Sequence, residues 1–351
     1  MPAANFSGLP IEVIDAAGHV VVPGFVDIHE HITGGGGEAG PASRTPEAQL
    51  SEIIAAGVTT VVGTLGTDCV SRSLENLRAK VAALEADGLH AHMWVGCYRV
   101  PSPTLTGSLV RDMTLVVGAG EVAVSDHRSS WPSTAELLSL AADARVGGML
   151  IGKRGVLHLH VGDAPSLLGP LWAVVNATGG ALPMTHLLPT HVSLRGPALL
   201  ADAARWVRQG GHVDFTADQA GENASVAALL EWRRVGVPLS GVSLSSDAFG
   251  SLPEYDSAGR LVRYGAFSPA SLLATVRALV LAHGWAFPTA LQLVTRNPAH
   301  FLGLLAAGRV EAGLPGDVLV LREADLALRW SFARGKKVLA PGWVKKGMFE
   351  K

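Results

Sequence analysis

The sequence predicts a closed (β/α)8 barrel of the TIM type carrying a small β-domain formed from both termini. Three observations lead there. From Val22 to about Leu304, β-rich runs alternate with amphipathic stretches in the βαβα order of a parallel sheet. Eight such units over ~280 residues match the size of a barrel. No Gly-rich phosphate loop opens the first helix, as a doubly wound sheet would favour.

The expected strands are Gly24–His31, Thr59–Leu65, His92–Tyr98, Glu121–Ser125, Val156–Val161, Met184–Thr190, Val213–Thr216 and Val242–Ser246. Between them lie helix patterns such as PEAQLSEIIAAG, LENLRAKVAALEADG, AELLSLAADA, GPALLADAARWVRQGG and ASVAALLEWRRVG. Several carry apolar residues at i, i+3 and i+4 and end in glycine, a C-terminal cap signal. The ends differ: Ile11–Val22 and the tail from Arg309 are short β-like runs separated by turn residues. The expected division is therefore a barrel over 23–304, with 1–22 and 305–351 joined in one β-domain.

Composition narrows the function. The 351 residues are 48% hydrophobic and 17% charged, with a formal net charge of −2 and a mean hydropathy of +0.30. This is a folded chain without the basic stripe of a nucleic-acid binder. The most apolar stretch, around Leu272 to Phe287, is interrupted by Arg277 and Gly284, short of the ~18–20 residues of a membrane span. The first residues carry neither a basic n-region nor an apolar h-region, so nothing suggests secretion. Cys69 and Cys97 form no disulfide framework and suit a reducing cytoplasm. Thirteen histidines in a chain with so little charge are the anomaly.

His29 and His31 stand two apart at the end of the first barrel strand, so they leave the same face. At the C-terminal mouth of a barrel, such a pair reads either as hydrogen-bonded surface groups or as half of a metal site. Three further strand ends favour the metal: His160 in LHLHVGD, His191 in HLLPTH and Asp247 in VSLSSD. His158 and His186 are strand histidines suited to support a ligand. His19, His90, His212, His283 and His300, at turns or helix ends, read as structural.

The ordered runs GFVDIHEHITGGGGEAGPASRTPE, GTLGTD, SDHRSS, LHVGD, LLPTH and LSSDAFGS resemble the isoaspartyl dipeptidases, β-aspartyl peptidases of the amidohydrolase superfamily. The resemblance runs from about Pro23 to Leu304 and continues into GLPGDVLVL. It implies two zinc ions per subunit. His29, His31 and Asp247 match the ligands of the more buried ion, and His160 and His191 those of the more exposed one. In the best-known members a carboxylated lysine bridges the ions. Here Glu121, seven residues before Arg128, holds that position, so no carboxylated lysine is expected. Its carboxyl carbon lies roughly 3–4 Å closer to the backbone than a lysine carbamate. Either the strand and ions approach one another and Glu121 bridges, or Glu121 is a salt-bridged carboxylate beside a single metal.

The same resemblance implies a hydroxide bridging the ions as nucleophile. It gives Asp247 the role of general base and then acid. Tyr98 matches the donor to the developing oxyanion, with a barrel-rim aromatic as the lesser alternative. Glu38 matches the partner of the substrate ammonium, Arg128 that of a carboxylate, and Ser251 and Thr67 supply hydroxyl contacts. A second family arginine belongs three residues after His191, where Leu194 stands; Arg195 follows and takes the role. Hydrolysis of β-aspartyl dipeptides is the leading expectation. Another amide-cleaving amidohydrolase, dihydroorotase-like or acting on N-acyl amino acids, is the alternative within enzymes. A catalytically silent assembly scaffold is the alternative outside them. The resemblance also implies a homo-oligomer, in some members an octamer, with no nucleic-acid or membrane partner.

Overall fold

The computed structural model describes residues 12–219, 221–255, 258 and 260–351. Its strands in chain order are β1 (His19–Pro23), β2 (Phe25–Glu30), β3 (Val58–Gly63), β4 (His90–Val95), β5 (Gly118–Val124), β6 (Val156–Val161), β7 (Leu187–Thr190), β8 (Val213–Thr216) and β9 (Val242–Ser245). A hairpin of β10 (Ser251–Tyr255) and β11 (Leu261–Ala266) follows. The strands β12 (Val318–Arg322), β13 (Leu328–Ala333), β14 (Lys336–Ala340) and β15 (Trp343–Val344) complete the set.

The eight expected barrel strands are β2 to β9. They are Val-, Leu- and Ile-rich because a parallel strand flanked by helices is buried on both faces; every residue of β2, β3, β5 and β6 is buried. β2 to β7 form one parallel ladder, and β8 pairs with β9. A bridge between Glu30 and Ala248, with His31 N donating to Ala248 O at 2.8 Å, joins β2 to the end of β9. Across the other seam, Thr190 Oγ1 donates to Asp214 Oδ2 at 2.7 Å.

Helices follow the strands where the periodicity places them, including Leu74–Ala86, Pro197–Arg208 and Ala224–Arg234. Ser133 caps the helix Thr134–Leu150 in a reciprocal box with Glu136, satisfying amide groups that the first turn leaves unpaired. Val26, Ile28, Val62, Trp94 and Leu188 pack with Phe301 and Leu302 of the helix Arg296–Leu302. This apolar plug fills the barrel beneath the histidines. The apolar stretch near Leu272 breaks into the helix Ser271–Arg277 and a wide turn over Ala278–Ala282. Among the described residues, no helix is long and apolar enough to cross a membrane.

The chain ends meet as expected. β1 pairs antiparallel with β12, from His19 with Arg322 to Pro23 with Val318, in a sheet ordered β1-β12-β13-β14-β15. His90 Nε2 contacts Asp317 Oδ2 at 2.9 Å, tying this sheet to the barrel. Residues 1–11, which include Ile11 at the start of the N-terminal β-like run, lie outside the described residues. Several features depart from expectation: Met184–His186, expected to open a strand, form a 3-10 turn before β7. The β10–β11 hairpin was not legible as a strand pair. Cys69 and Cys97, read as unpaired thiols, are joined as a disulfide with Cα atoms 6.0 Å apart. They follow the neighbouring strands β3 and β4, whose parallel pairing brings the two loops together despite a sequence separation of 28.

Candidate functional site

The barrel mouth holds a cavity of about 680 Å³ whose wall includes His31, Tyr98, His160, His191 and Asp247. Beneath it, Glu121 is fully buried in the middle of β5. Its two oxygens face different imidazoles. Oε2 lies 3.3 Å from His29 Nε2. Oε1 lies 2.9 Å from His160 Nδ1 and 3.4 Å from His191 Nε2. Asp247 Oδ1 completes the first cluster, 3.1 Å from His31 Nε2 and 3.4 Å from His29 Nε2. All six expected ligands therefore converge.

Local chemistry orients these groups. His158 Nδ1 sits 3.2 Å from Leu188 O and so carries the proton that it donates there. Its Nε2, 2.8 Å from His29 Nδ1, then accepts, leaving the lone pair of His29 on Nε2. His191 Nδ1 lies 2.7 Å from Thr216 Oγ1, whose hydroxyl can accept the ring proton and so free Nε2. His31 is cradled by glycines: a side chain at Gly250 would meet its ring at 2.8 Å, and Gly66, at φ +69°, approaches it from another side. His191 and Asp247 adopt φ 64° and 56°. Such left-handed backbone costs of order 1–3 kcal/mol in a non-glycine residue, and here it turns both side chains inward past their strands. His186, considered as a supporting group, instead bonds Gly155 O at 2.7 Å, away from the cluster.

Electrostatics separate the groups. Burial disfavours charge on His29, but the carboxylates of Glu121 and Asp247 prevail and raise its pKa to about 9. Burial pushes Asp247 up, but His191, His31 and His29 hold it at about 2. Burial would also raise Glu121, yet its imidazole neighbours keep it well below the usual carboxylate range. Tyr98 is pushed well above 10 by burial and by the field of Glu121, so it remains a phenol.

A divalent cation fits these residues. Among the described residues, His29 Nε2 and Glu121 Oε2 are buried without a hydrogen-bond partner, a costly condition for a polar atom in a protein interior. Ligand atoms of His29, His31 and Asp247 lie within 4.8 Å of one another, as do those of His29, Glu121 and His191. Imidazole and carboxylate are the donor types zinc accepts.

The cavity walls bring together the expected substrate residues. Glu38 follows the Gly34–Gly37 run, and its Oε2 accepts from Ser251 Oγ at 3.0 Å. Arg72, unsuspected from sequence, holds this loop by donating to Thr33 O and, at 3.0 Å each, to Gly35 O and Thr45 O. Gly34 has φ +77°, and a side chain there would meet Arg72 Nη1 at 2.8 Å. Arg128 Nη1 lies 3.6 Å from Glu38 Oε1, and its guanidinium sits 5.3 Å from the Tyr98 ring centre. Tyr98 lies beyond β4 rather than within it; its hydroxyl is 2.7 Å from His160 Nδ1. Arg195 donates to Val161 O at 3.4 Å and lines the cavity, as do Thr67 and Leu194. The wall thus presents the carboxylates of Glu38, Asp163 and Glu222 and the guanidinium groups of Arg128 and Arg195 around a buried donor cluster.

Comparisons agree with this arrangement. The Amidohydrolase family model matches residues 20–349. The β-aspartyl dipeptidase of Fervidobacterium islandicum AW-1, solved in complex with a β-Asp-Leu dipeptide, is 40% identical. The alignment covers 96% of this chain and 89% of that one, with a TM-score of 0.89. A second structure of the F. islandicum enzyme gives 39% identity over 98% and 90% of the chains, again at TM-score 0.89. D-Hydantoinase from Thermus sp. shares the fold at 13% identity, with coverage of 98% and 90% and a TM-score of 0.65. Dihydroorotase from Staphylococcus epidermidis is 39% identical over 74 residues, 21% of this chain, which spans only 17% of that protein.

Proposed function

Because the chain belongs to the amidohydrolase family, with β-aspartyl dipeptidases among its relatives, we propose that it is a metal-dependent hydrolase of β-aspartyl dipeptides. One observation carries the reading: the buried Glu121 carboxylate divides its oxygens between two sets of imidazoles at the floor of a charged cavity. His29, His31 and Asp247 would hold one zinc ion, His160 and His191 another, with Glu121 between them. Bound zinc would supply Lewis acidity and bring the pKa of water toward neutrality.

The side chains do the rest. Asp247, ionised at neutral pH, takes the proton of the attacking water and passes it to the leaving amine. Tyr98 donates a hydrogen bond to the carbonyl oxygen as negative charge develops. Glu38 pairs with the substrate ammonium, while Arg128 and Arg195 take its carboxylates. Ser251 and Thr67 add hydroxyl contacts. Residues 23–304 form the hydrolase barrel in this reading, with 1–22 and 305–351 as its β-domain. The family resemblance further supports a cytoplasmic homo-oligomer, up to an octamer.

The dihydroorotase match favours a second reading, hydrolysis of cyclic amides. A panel of β-Asp-Leu, cyclic amides and N-acyl amino acids separates the two. Cleavage of β-Asp-Leu is expected; an intact dipeptide beside a cleaved cyclic amide or N-acyl amino acid would overturn the dipeptidase assignment.

A further inference from the structure

We propose that Asp126 is a positioning residue serving both halves of the site: it sets His160 to ligate a cation and aims Arg128 at the substrate carboxylate. The proposal rests on the dipeptidase reading above. Asp126 is 2% exposed, and both its oxygens are engaged. Oδ1 accepts from Arg128 N at 2.7 Å and from Arg128 Nε at 3.0 Å. Oδ2 accepts from Arg128 Nη2 at 2.9 Å and lies 2.9 Å from His160 Nε2. The guanidinium is thus gripped along one edge by a two-point fork, which fixes its plane and leaves Nη1 facing the cavity.

For His160 the carboxylate decides the tautomer. A neutral imidazole ligates only through its unprotonated nitrogen. A carboxylate faces each ring nitrogen, Asp126 Oδ2 at Nε2 and Glu121 Oε1 at Nδ1, each 2.9 Å away; with a cation held between Nδ1 and Glu121, the proton belongs on Nε2, where Asp126 accepts it. Arg128 Nη2 also lies 3.0 Å from His160 Nε2. A bare Nε2 could accept from it, but would then turn a lone pair against Asp126 Oδ2. His29 and His191 are backed by neutral partners, His158 and Thr216. His160 is backed by a charge, which raises the basicity of its ligating nitrogen. The backbone is shaped for this contact. Ser125 has φ 53°, and Gly162 leaves room that a side chain would take from Asp126.

The test compares zinc-loaded parent, Asp126→Asn and Arg128→Met. Zinc affinity is read by chelator competition, and KM and kcat on β-Asp-Leu. Asp126→Asn should weaken the zinc assigned to His160 and His191 about 10- to 100-fold and raise KM. Arg128→Met should raise KM and leave zinc affinity at the parent value. Parent-like zinc affinity or parent-like KM in Asp126→Asn overturns the dual role. Should that variant not fold, ¹⁵N-imidazole spectra of the zinc-loaded parent decide: a proton on His160 Nε2 is expected, and an unprotonated Nε2 overturns the proposal. A parent that binds zinc but spares β-Asp-Leu removes the dipeptidase reading and the Arg128 half, while zinc affinity still decides the His160 half.

Discussion

Glu121 and His29 face each other in the barrel interior, with Oε2 and Nε2 3.3 Å apart and both side chains fully buried. Among the described residues, neither atom has a hydrogen-bond partner. The pair is the point at which the two groups of proposed ligands meet, so its disruption has the widest consequences.

Glu121→Gln removes the charge that outweighs burial at His29. The metal-free variant should show a His29 pKa well below the parent's value of about 9. It should retain less zinc, and kcat/KM on β-Asp-Leu should fall by about 10³-fold or more, the scale on which electrostatic groups act at a reacting centre. Metal analysis and steady-state kinetics on one preparation check this; parent-like stoichiometry and turnover would remove Glu121 from the bridging position.

Tyr98→Phe deletes one hydroxyl from a buried ring whose pKa is pushed well above 10. Its loss should be felt once charge appears on the carbonyl oxygen. We expect kcat to drop about 10²- to 10³-fold while KM changes little. A rise in KM at constant kcat would make Tyr98 a rim contact instead.

Arg195→Leu tests whether the one-residue offset from the family position matters. Loss of a charge-assisted hydrogen bond of about 1.5–3 kcal/mol should raise KM about 10- to 100-fold. An unchanged KM would return Arg195 to a surface role.

Asp214 accepts three hydroxyl bonds, from Thr190, Ser243 and Ser245, yet burial outweighs them and raises its pKa from 3.8 to about 7. Between those values the folded chain keeps a proton that the unfolded chain releases. Its contribution to stability is therefore complete below about pH 4, declines by up to about 1.4 kcal/mol per pH unit toward pH 7, and is flat above. Asp214→Asn should lose this component of the slope. Urea unfolding of both proteins from pH 4.5 to 8 in chelator measures the difference, and identical slopes would contradict it.

Much of this site could be read from sequence because barrel strands are continuous apolar runs and their C-terminal ends share one rim. His29, His31, His160, His191 and Asp247 each follow such a run. What escaped depends on partners distant in the chain. The SDHR motif identifies Arg128, but only folding puts Asp126 against His160. Arg72 acts through backbone carbonyls, which carry no sequence signature. The β10–β11 hairpin has exposed, charged strands such as Leu261–Ala266, without the apolar alternation of a half-buried sheet. The Cys69–Cys97 pair owes its proximity to adjacent strands, not to spacing.

Anomalous diffraction at the zinc edge on the parent protein tests the central claim most directly. Two peaks are predicted, one among His29, His31, Asp247 and Glu121 Oε2, the other among His160, His191 and Glu121 Oε1. A single peak, or a Glu121 carboxylate turned away from both, would contradict the account.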